Sequence, residues 1–234
     1  MEAMRVLIAV AHADDETLGC YSILRRQDWD VVVLHATDSA PLDPRYAHKA
    51  GYATREEYRT ARAREMERWR KLAGLSDDHY FRLDIADQET PRHVQQIRQS
   101  VEAIAADRIY THAYEGGHPD HDALAYALRG MAGVWEFPLY HAADGRYLTG
   151  EFLEGDAGEL VALGEAEQAR KREWLGCFQT QSAIVERFRL DRENFRPAPA
   201  YDFTRPPHAG PLYYESRGHG WSWNHWRAAV EKND

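Results

Sequence analysis

The chain has 234 residues, a hydrophobic fraction of 44%, 12% aromatics and a formal charge of −9 from 29 basic and 38 acidic residues. That size and apolar content fit one α/β domain and exclude a disordered chain, and the acidic balance argues against a nucleic-acid partner. Two distant cysteines, Cys20 and Cys177, make no disulfide framework and point to a reducing, cytoplasmic setting; the short apolar run up to Val10 leads straight into His12 and three acids, which neither a signal peptide nor a membrane span would do.

In chain order, Arg5–Ala11 is a continuous apolar run and reads as a buried parallel strand. Thr17–Gln27 follows, with Leu18, Tyr21 and Leu24 at helical spacing. Asp30–Ala36 is a second buried strand. Asp38–Thr54, rich in Pro, Asp and Tyr, reads as a long loop of the kind that often carries function. Arg55–Leu72 is an amphipathic helix ended by Gly74. Its arginines alternate with glutamates, and pairs such as Glu67 with Lys71 make a solvated face. His79–Leu83 is a weak third strand, Pro91–Ala105 a helix with Val94, Ile97, Val101 and Ile104 on one face, and Arg108–His112 a fourth strand. Gly116 and Gly117 precede a helix at Asp120–Met131, and Trp135–His141 is a fifth strand.

This alternation predicts a Rossmann-like α/β fold, a mostly parallel sheet with helices on both faces. Beyond it Glu165–Gln181 is helical, and a looped, aromatic-rich C-terminal appendage follows. There Tyr213, Tyr214, Trp221, Trp223 and Trp226 either cover the core or stack on a sugar ring. The expectation is a single domain over residues 1–234, with a core at about 5–131 and an elaboration at 132–234.

Two constellations carry chemistry. His12, Asp14, Asp15 and Glu16 follow the first strand; His118, Pro119, Asp120, His121 and Asp122 follow the fourth. Each alone could be a helix cap. In doubly wound sheets, however, ligands bind at the carboxyl ends of strands where the order reverses, commonly between strands one and four. Both clusters would then share one crevice, and capping does not require histidine in either. Catalytic zinc takes three protein ligands and leaves one position for water. His12 and Asp15, three residues apart, can aim at one point, and His121 can complete the set from across the crevice. Asp14 is then free to be the general base. His118, held by Asp120, could face a developing oxyanion or protonate a leaving amine. Together these parts make an amide hydrolase.

At these residues the chain resembles the LmbE-like, or PIG-L, family of zinc-dependent N-deacetylases, which carries His-Pro-Asp-Asp-Glu after strand one and His-Pro-Asp-His after strand four. The second motif is intact at His118–His121; in the first, Ala13 stands where proline is usual. The resemblance implies His12, Asp15 and His121 as zinc ligands, Asp14 as base, His118 at the oxyanion and Asp120 as its support. It also matches Arg62 and Glu65 to an arginine and glutamate on the second helix, with Arg62 as a substrate-hydroxyl contact. It implies removal of acetyl from N-acetylglucosamine units on varied aglycones, or cleavage of thiol-sugar amides. The resemblance spans about Arg5 to Met131; Lys171–Ser182 is similar to the family's C-terminal helix.

Further candidates are less specific. Asp38, ending strand two at the same edge, either touches substrate or forms a turn. His208 and His219 lie in the tail within reach of the pocket. Two histidines and a carboxylate also suit Fe2+ in an oxygenase, but an oxygenase has no need of the base at Asp14. A third reading is a sugar-binding module that keeps zinc without turnover, which an intact Asp14 and His118 argue against. The expected partner is a small amino sugar, with no nucleic acid and no membrane span; an oligomer is compatible with the sequence.

Overall fold

Alternate residues of the first strand face two different cores. β1 (Met4–Val10) sends Val6, Ile8 and Val10 into one apolar cluster and Leu7 and Ala9 into another. Burial on both faces is why its sequence is a continuous apolar run rather than an alternation. The computed structural model describes residues 3–155, 158–217 and 219–234.

The remaining strands are β2 (Trp29–Pro41), β3 (Tyr80–Asp87), β4 (Arg108–His112), β5 (Val134–Phe137), β6 (Tyr140–His141), β7 (Leu148–Thr149), β8 (Glu159–Ala162) and β9 (Arg192–Pro197). The main sheet runs β3-β2-β1-β4-β5-β9-β8. Its first five strands are parallel, while β9 and β8 add on antiparallel. β6 and β7 form a separate small pair. The reversal between β1 and β4 is the switch point the sequence predicts.

The helices are α1 (Asp15–Leu24), α2 (Pro44–Lys49), α3 (Arg55–Ala73), α4 (Val94–Ile104), α5 (Pro119–Ala127), α6 (Glu165–Leu175), α7 (Ser182–Val185), α8 (Tyr213–Ser216) and α9 (Trp223–Lys232). One face of the sheet is covered by α1, α3 and α6, through Leu18, Tyr21, Met66, Trp69, Trp174 and Leu175. The other is covered by α4, α5 and α9, through Val94, Ile97, Val101, Leu124, Trp226 and Val230. Thr54 starts α3 with a capping box to Glu57, and Gly74 ends it in the left-handed conformation. Among the described residues no helix is long and apolar enough to cross a membrane.

Several expectations need correction. The Asp38–Thr54 loop is largely ordered: β2 continues to Pro41, and α2 follows, capped by Asp43 with Pro44 at its first turn. Pro138 lies between β5 and β6, so the single strand at Trp135–His141 is two short ones. The appendage is not simply looped. It contains α9, and Tyr214, Trp221 and Trp226 are core residues. The two indoles are satisfied as burial requires, Trp221 donating to the Gln88 carbonyl and Trp226 to that of Pro119.

Candidate active site

At the carboxyl edge of the sheet, neighbouring strands β1 and β4 bring two turns together. The β1–α1 turn carries His12, Asp14 and Asp15; the segment after β4 and the first turn of α5 carry His118, Asp120 and His121. Gly117 lets the segment after β4 lie against β6. A Cβ there would lie 2.1 Å from the Tyr140 carbonyl oxygen, so any side chain would displace the backbone of β6.

His12 Nδ1, Asp15 Oδ2 and His121 Nε2 form a nearly equilateral triangle, with edges of 3.2, 3.2 and 3.3 Å. Donors about 2.0–2.1 Å from a tetrahedral zinc ion stand roughly 3.3 Å apart. An octahedral site of similar bond length sets them at about 3.0 Å. The residues therefore fit a divalent cation, and the edges lie nearer the tetrahedral value. Burial alone pushes the Asp15 carboxyl up, but the imidazoles of His121, His112 and His12 outweigh it and hold Asp15 well below the usual range. It is thus an anion, as a ligand must be.

The second nitrogen of His12, Nε2, meets Asp120 Oδ2 at 3.0 Å and Asp87 Oδ1 at 3.3 Å. Asp120 is completely buried and also accepts from the Gln88 and Thr90 N–H groups and the Thr90 hydroxyl. The sequence pairs Asp120 with His118; the structure corrects this. Asp120 Oδ2 is 3.8 Å from His118 Nδ1, and that nitrogen instead accepts the Asp120 backbone N–H. His118 is the N-cap of α5, so its Nδ1 faces the helix amides while the Asp120 carboxylate turns to His12. With Nδ1 accepting, the His118 proton sits on Nε2. Burial and the neighbouring His12, His219 and His121 hold His118 well below the ordinary histidine range, so it is neutral. Capping and a place in the crevice are both realised in the same residue.

Asp14 has a backbone φ of 109°, outside the usual range for a non-glycine residue, a strain of order 1–3 kcal/mol. Burial raises its carboxyl well above the usual range; Arg62 and His12 oppose the rise, and Asp15 and Glu16 add to it. Arg62 is 1% exposed. Its guanidinium donates to the Ala13 carbonyl and to Glu65 and Thr180, and lies 3.4 Å from Asp14 Oδ2. In this structure its bonds tie the turn to α3 and to Thr180. Asp38 is likewise engaged, accepting from Arg55 and from the Ala40 N–H, so it acts as a turn and ion-pair residue.

Two neighbours, Asp87 and His112, escaped the sequence reading, and a third, His219, was only placed within reach. Asp87 ends β3 and approaches both His12 and His118, at 3.3 and 3.6 Å. Extending the weak third strand past Leu83 would have found it. His112 ends β4, accepts the Ala11 N–H through Nε2 and stacks flat on His121 at 4.0 Å. His219, noted only as within reach, packs edge-on to His118 at 4.9 Å. A cavity of about 350 Å³ opens beside Asp87 and His219, lined also by Arg45, Arg92, Trp221 and His225.

Residues 7–132 match the family described as PIG-L: GlcNAc-PI de-N-acetylase. Among curated proteins no sequence matches the chain. Solved structures share the fold. An A40926 pseudoaglycone deacetylase is 20% identical, with a TM-score of 0.58 over 79% of this chain and 85% of its own. The N,N′-diacetylchitobiose deacetylase from Pyrococcus horikoshii is 16% identical, with a TM-score of 0.57 over 83% and 84%. A 4-carboxy-2-hydroxymuconate hydratase from Pseudomonas putida KT2440 is 14% identical, with a TM-score of 0.57 over 78% and 82%. A likeness at these identities shows the fold, and the hydratase makes clear that this fold hosts more than one chemistry.

Proposed function

The chain belongs to the PIG-L family, and from that premise we propose that it hydrolyses the amide of an N-acetylated amino sugar, an N-acetylglucosamine-containing small molecule, with zinc in the His12–Asp15–His121 triangle. The observation that carries the reading is that triangle, spaced for a tetrahedral ion, with the Asp14 carboxyl on the same turn. Deacetylases among the structural neighbours, named for the A40926 pseudoaglycone and for N,N′-diacetylchitobiose, agree with an amino-sugar substrate.

A divalent cation held there supplies Lewis acidity toward the amide carbonyl and lowers the pKa of water. The chain's own groups do the rest. Asp14 takes the proton of the attacking water at its carboxylate, and its raised pKa suits it to return that proton to the leaving nitrogen. Water oxygen joins the carbonyl carbon, the C–N bond breaks, and acetate and a free amine leave. His118 donates Nε2–H to the carbonyl oxygen as negative charge develops there. It does so as a neutral imidazole rather than as the charged donor the sequence allows. Asp120 fixes His12 so that Nδ1 is free for the cation.

The test is a panel of N-acetylated amino sugars and their conjugates, incubated with zinc-loaded protein and read as free amine and free acetate. Turnover that disappears in Asp14→Asn supports the reading. If wild-type protein with full zinc released neither product from any substrate, the zinc-containing sugar-binding module would replace it.

A further inference from the structure

Three successive amides of the turn that carries Asp14, those of His12, Ala13 and Asp14, are held by side chains. His12 N–H donates to Asp15 Oδ2 at 2.8 Å, Asp14 N–H to Glu16 Oε2 at 2.9 Å, and Ala13 N–H to Ser39 Oγ at 2.9 Å. Asp15 and Glu16 belong to the turn's own helix. Ser39 comes from β2, across the strand gap, and ties the turn to the sheet.

Ser39 is itself locked. Its backbone is left-handed, at φ 56°, and its N–H donates to Thr37 Oγ1 at 3.1 Å. The Thr37 hydroxyl in turn donates to the Ala11 carbonyl at 2.7 Å, and the Thr37 N–H reaches the same oxygen. The chain of contacts thus runs from Ala11 through Thr37 and Ser39 back to Ala13. Ala13, Thr37 and Ser39 are all buried, where hydrogen bonds are not exchanged with water.

Position 13 is where the family motif has proline. A proline would fix φ and has no N–H. Here alanine leaves φ free but offers an N–H, and that N–H is the one Ser39 captures. We propose that Ser39 is a positioning residue for Asp14, with its hydroxyl bond to Ala13 standing in for the missing proline ring. The proposal rests on Asp14 being the general base. Ser39 touches neither substrate nor reacting atoms; it acts by keeping the strained Asp14 turn in one conformation, since a small displacement of a reacting group costs rate steeply.

The experiment uses the zinc-loaded full chain with Ser39→Gly and Ser39→Ala. Glycine suits the left-handed backbone at position 39, so that variant loses the hydroxyl without added strain. Amide exchange over residues 12–15 should quicken about tenfold in both variants, with zinc content unchanged. With N-acetylglucosamine or the best substrate of the panel, kcat should fall about tenfold at constant KM. Ala13→Pro in the Ser39→Ala background should recover most of that loss. Unchanged exchange overturns the proposal, as does a double Ala13→Pro/Ser39→Ala variant slower than Ser39→Ala alone. Asp14→Asn with full turnover would instead overturn the base assignment, leaving the exchange result to judge the clamp.

Discussion

His12 Nε2 lies 3.0 Å from Asp120 Oδ2, and this contact decides which nitrogen of His12 is free for a cation. A carboxylate can only accept, so Nε2 carries a proton, and Nδ1, 3.2 Å from Asp15 Oδ2, is the nitrogen that gives up its proton when a cation binds. Asp120→Asn puts an amide in that place. Its NH2 group would oppose the Gln88 N–H, now 2.7 Å from Oδ2, or favour the wrong tautomer of His12. Zinc affinity should fall about 10–100-fold, measured by competition with a chromogenic chelator. An unchanged affinity would refute the bracing role of Asp120.

Zinc should also stabilise the fold. A ligand that binds only the native state at about 100 times its Kd adds roughly 2.7 kcal/mol. The site gathers the buried Asp14, Asp15 and Asp120 with the half-buried Asp87, whose mutual repulsion a cation relieves. Chelation should lower the melting temperature of wild type. His121→Ala, which removes one corner of the triangle, should abolish the zinc-dependent part of the stability. A chelator that leaves the wild-type melt unmoved would count against a resident metal.

How much of this was legible depended on how local the cause was. β1 could be read because burial on both faces writes itself as an unbroken apolar run. The pairing of His12 with His121 could be read because strand order follows from the alternation of elements. Asp87 could not, since β3 looks polar: it is an edge strand with an exposed Phe81 and a mostly half-exposed pattern. β9 was hidden for a different reason. Arg192, Glu193 and Arg196 make it look like a surface loop, yet its Glu193 is buried in a specific ion pair. The helix α9 was readable in principle, because Trp223, Trp226 and Val230 recur at helical spacing, but the proline-rich stretch before it suggested a loop throughout. The swap of Asp120 from His118 to His12 is a matter of rotamer, which spacing does not encode.

Glu136 should make the fold less stable as pH rises. It is 1% exposed, and its Oε1 accepts from Arg196 and Tyr201, both at 2.7 Å. Burial nevertheless raises its pKa from 4.5 to about 7. Between those values the folded protein keeps a proton that the unfolded chain has released, so stability declines across that window and levels off above it. Glu136→Gln keeps an acceptor for both partners but cannot ionise. The stability of wild type relative to this variant should therefore fall by up to about 3 kcal/mol between pH 4.5 and 7.5, read from urea midpoints at matched ionic strength. A difference that stays flat or grows with pH would contradict the raised pKa.

The C-terminal elaboration should prove inseparable from the core through Lys171 and Glu193. α1 departs from helical geometry at Cys20, φ −132° and ψ 24°. Two amides beyond that kink, Tyr21 N–H and Ser22 N–H, donate to Glu193 of β9 at 2.9 and 2.8 Å. Lys171 of α6 neutralises the carboxylate at 2.6 Å and donates to the Leu18 carbonyl at 2.8 Å, with both side chains essentially inaccessible. Lys171→Met removes the cation and leaves a buried, uncompensated anion, at a cost of about 3–5 kcal/mol. Glu193→Gln should restore much of that loss in the Lys171→Met background, since the amide oxygen still accepts an N–H without carrying charge. Because α1 begins at Asp15, the single Lys171→Met variant should also loosen the candidate metal site and weaken zinc binding. Equal stability of wild type and Lys171→Met in a thermal melt would mean that the kink at Cys20 is supported by packing alone.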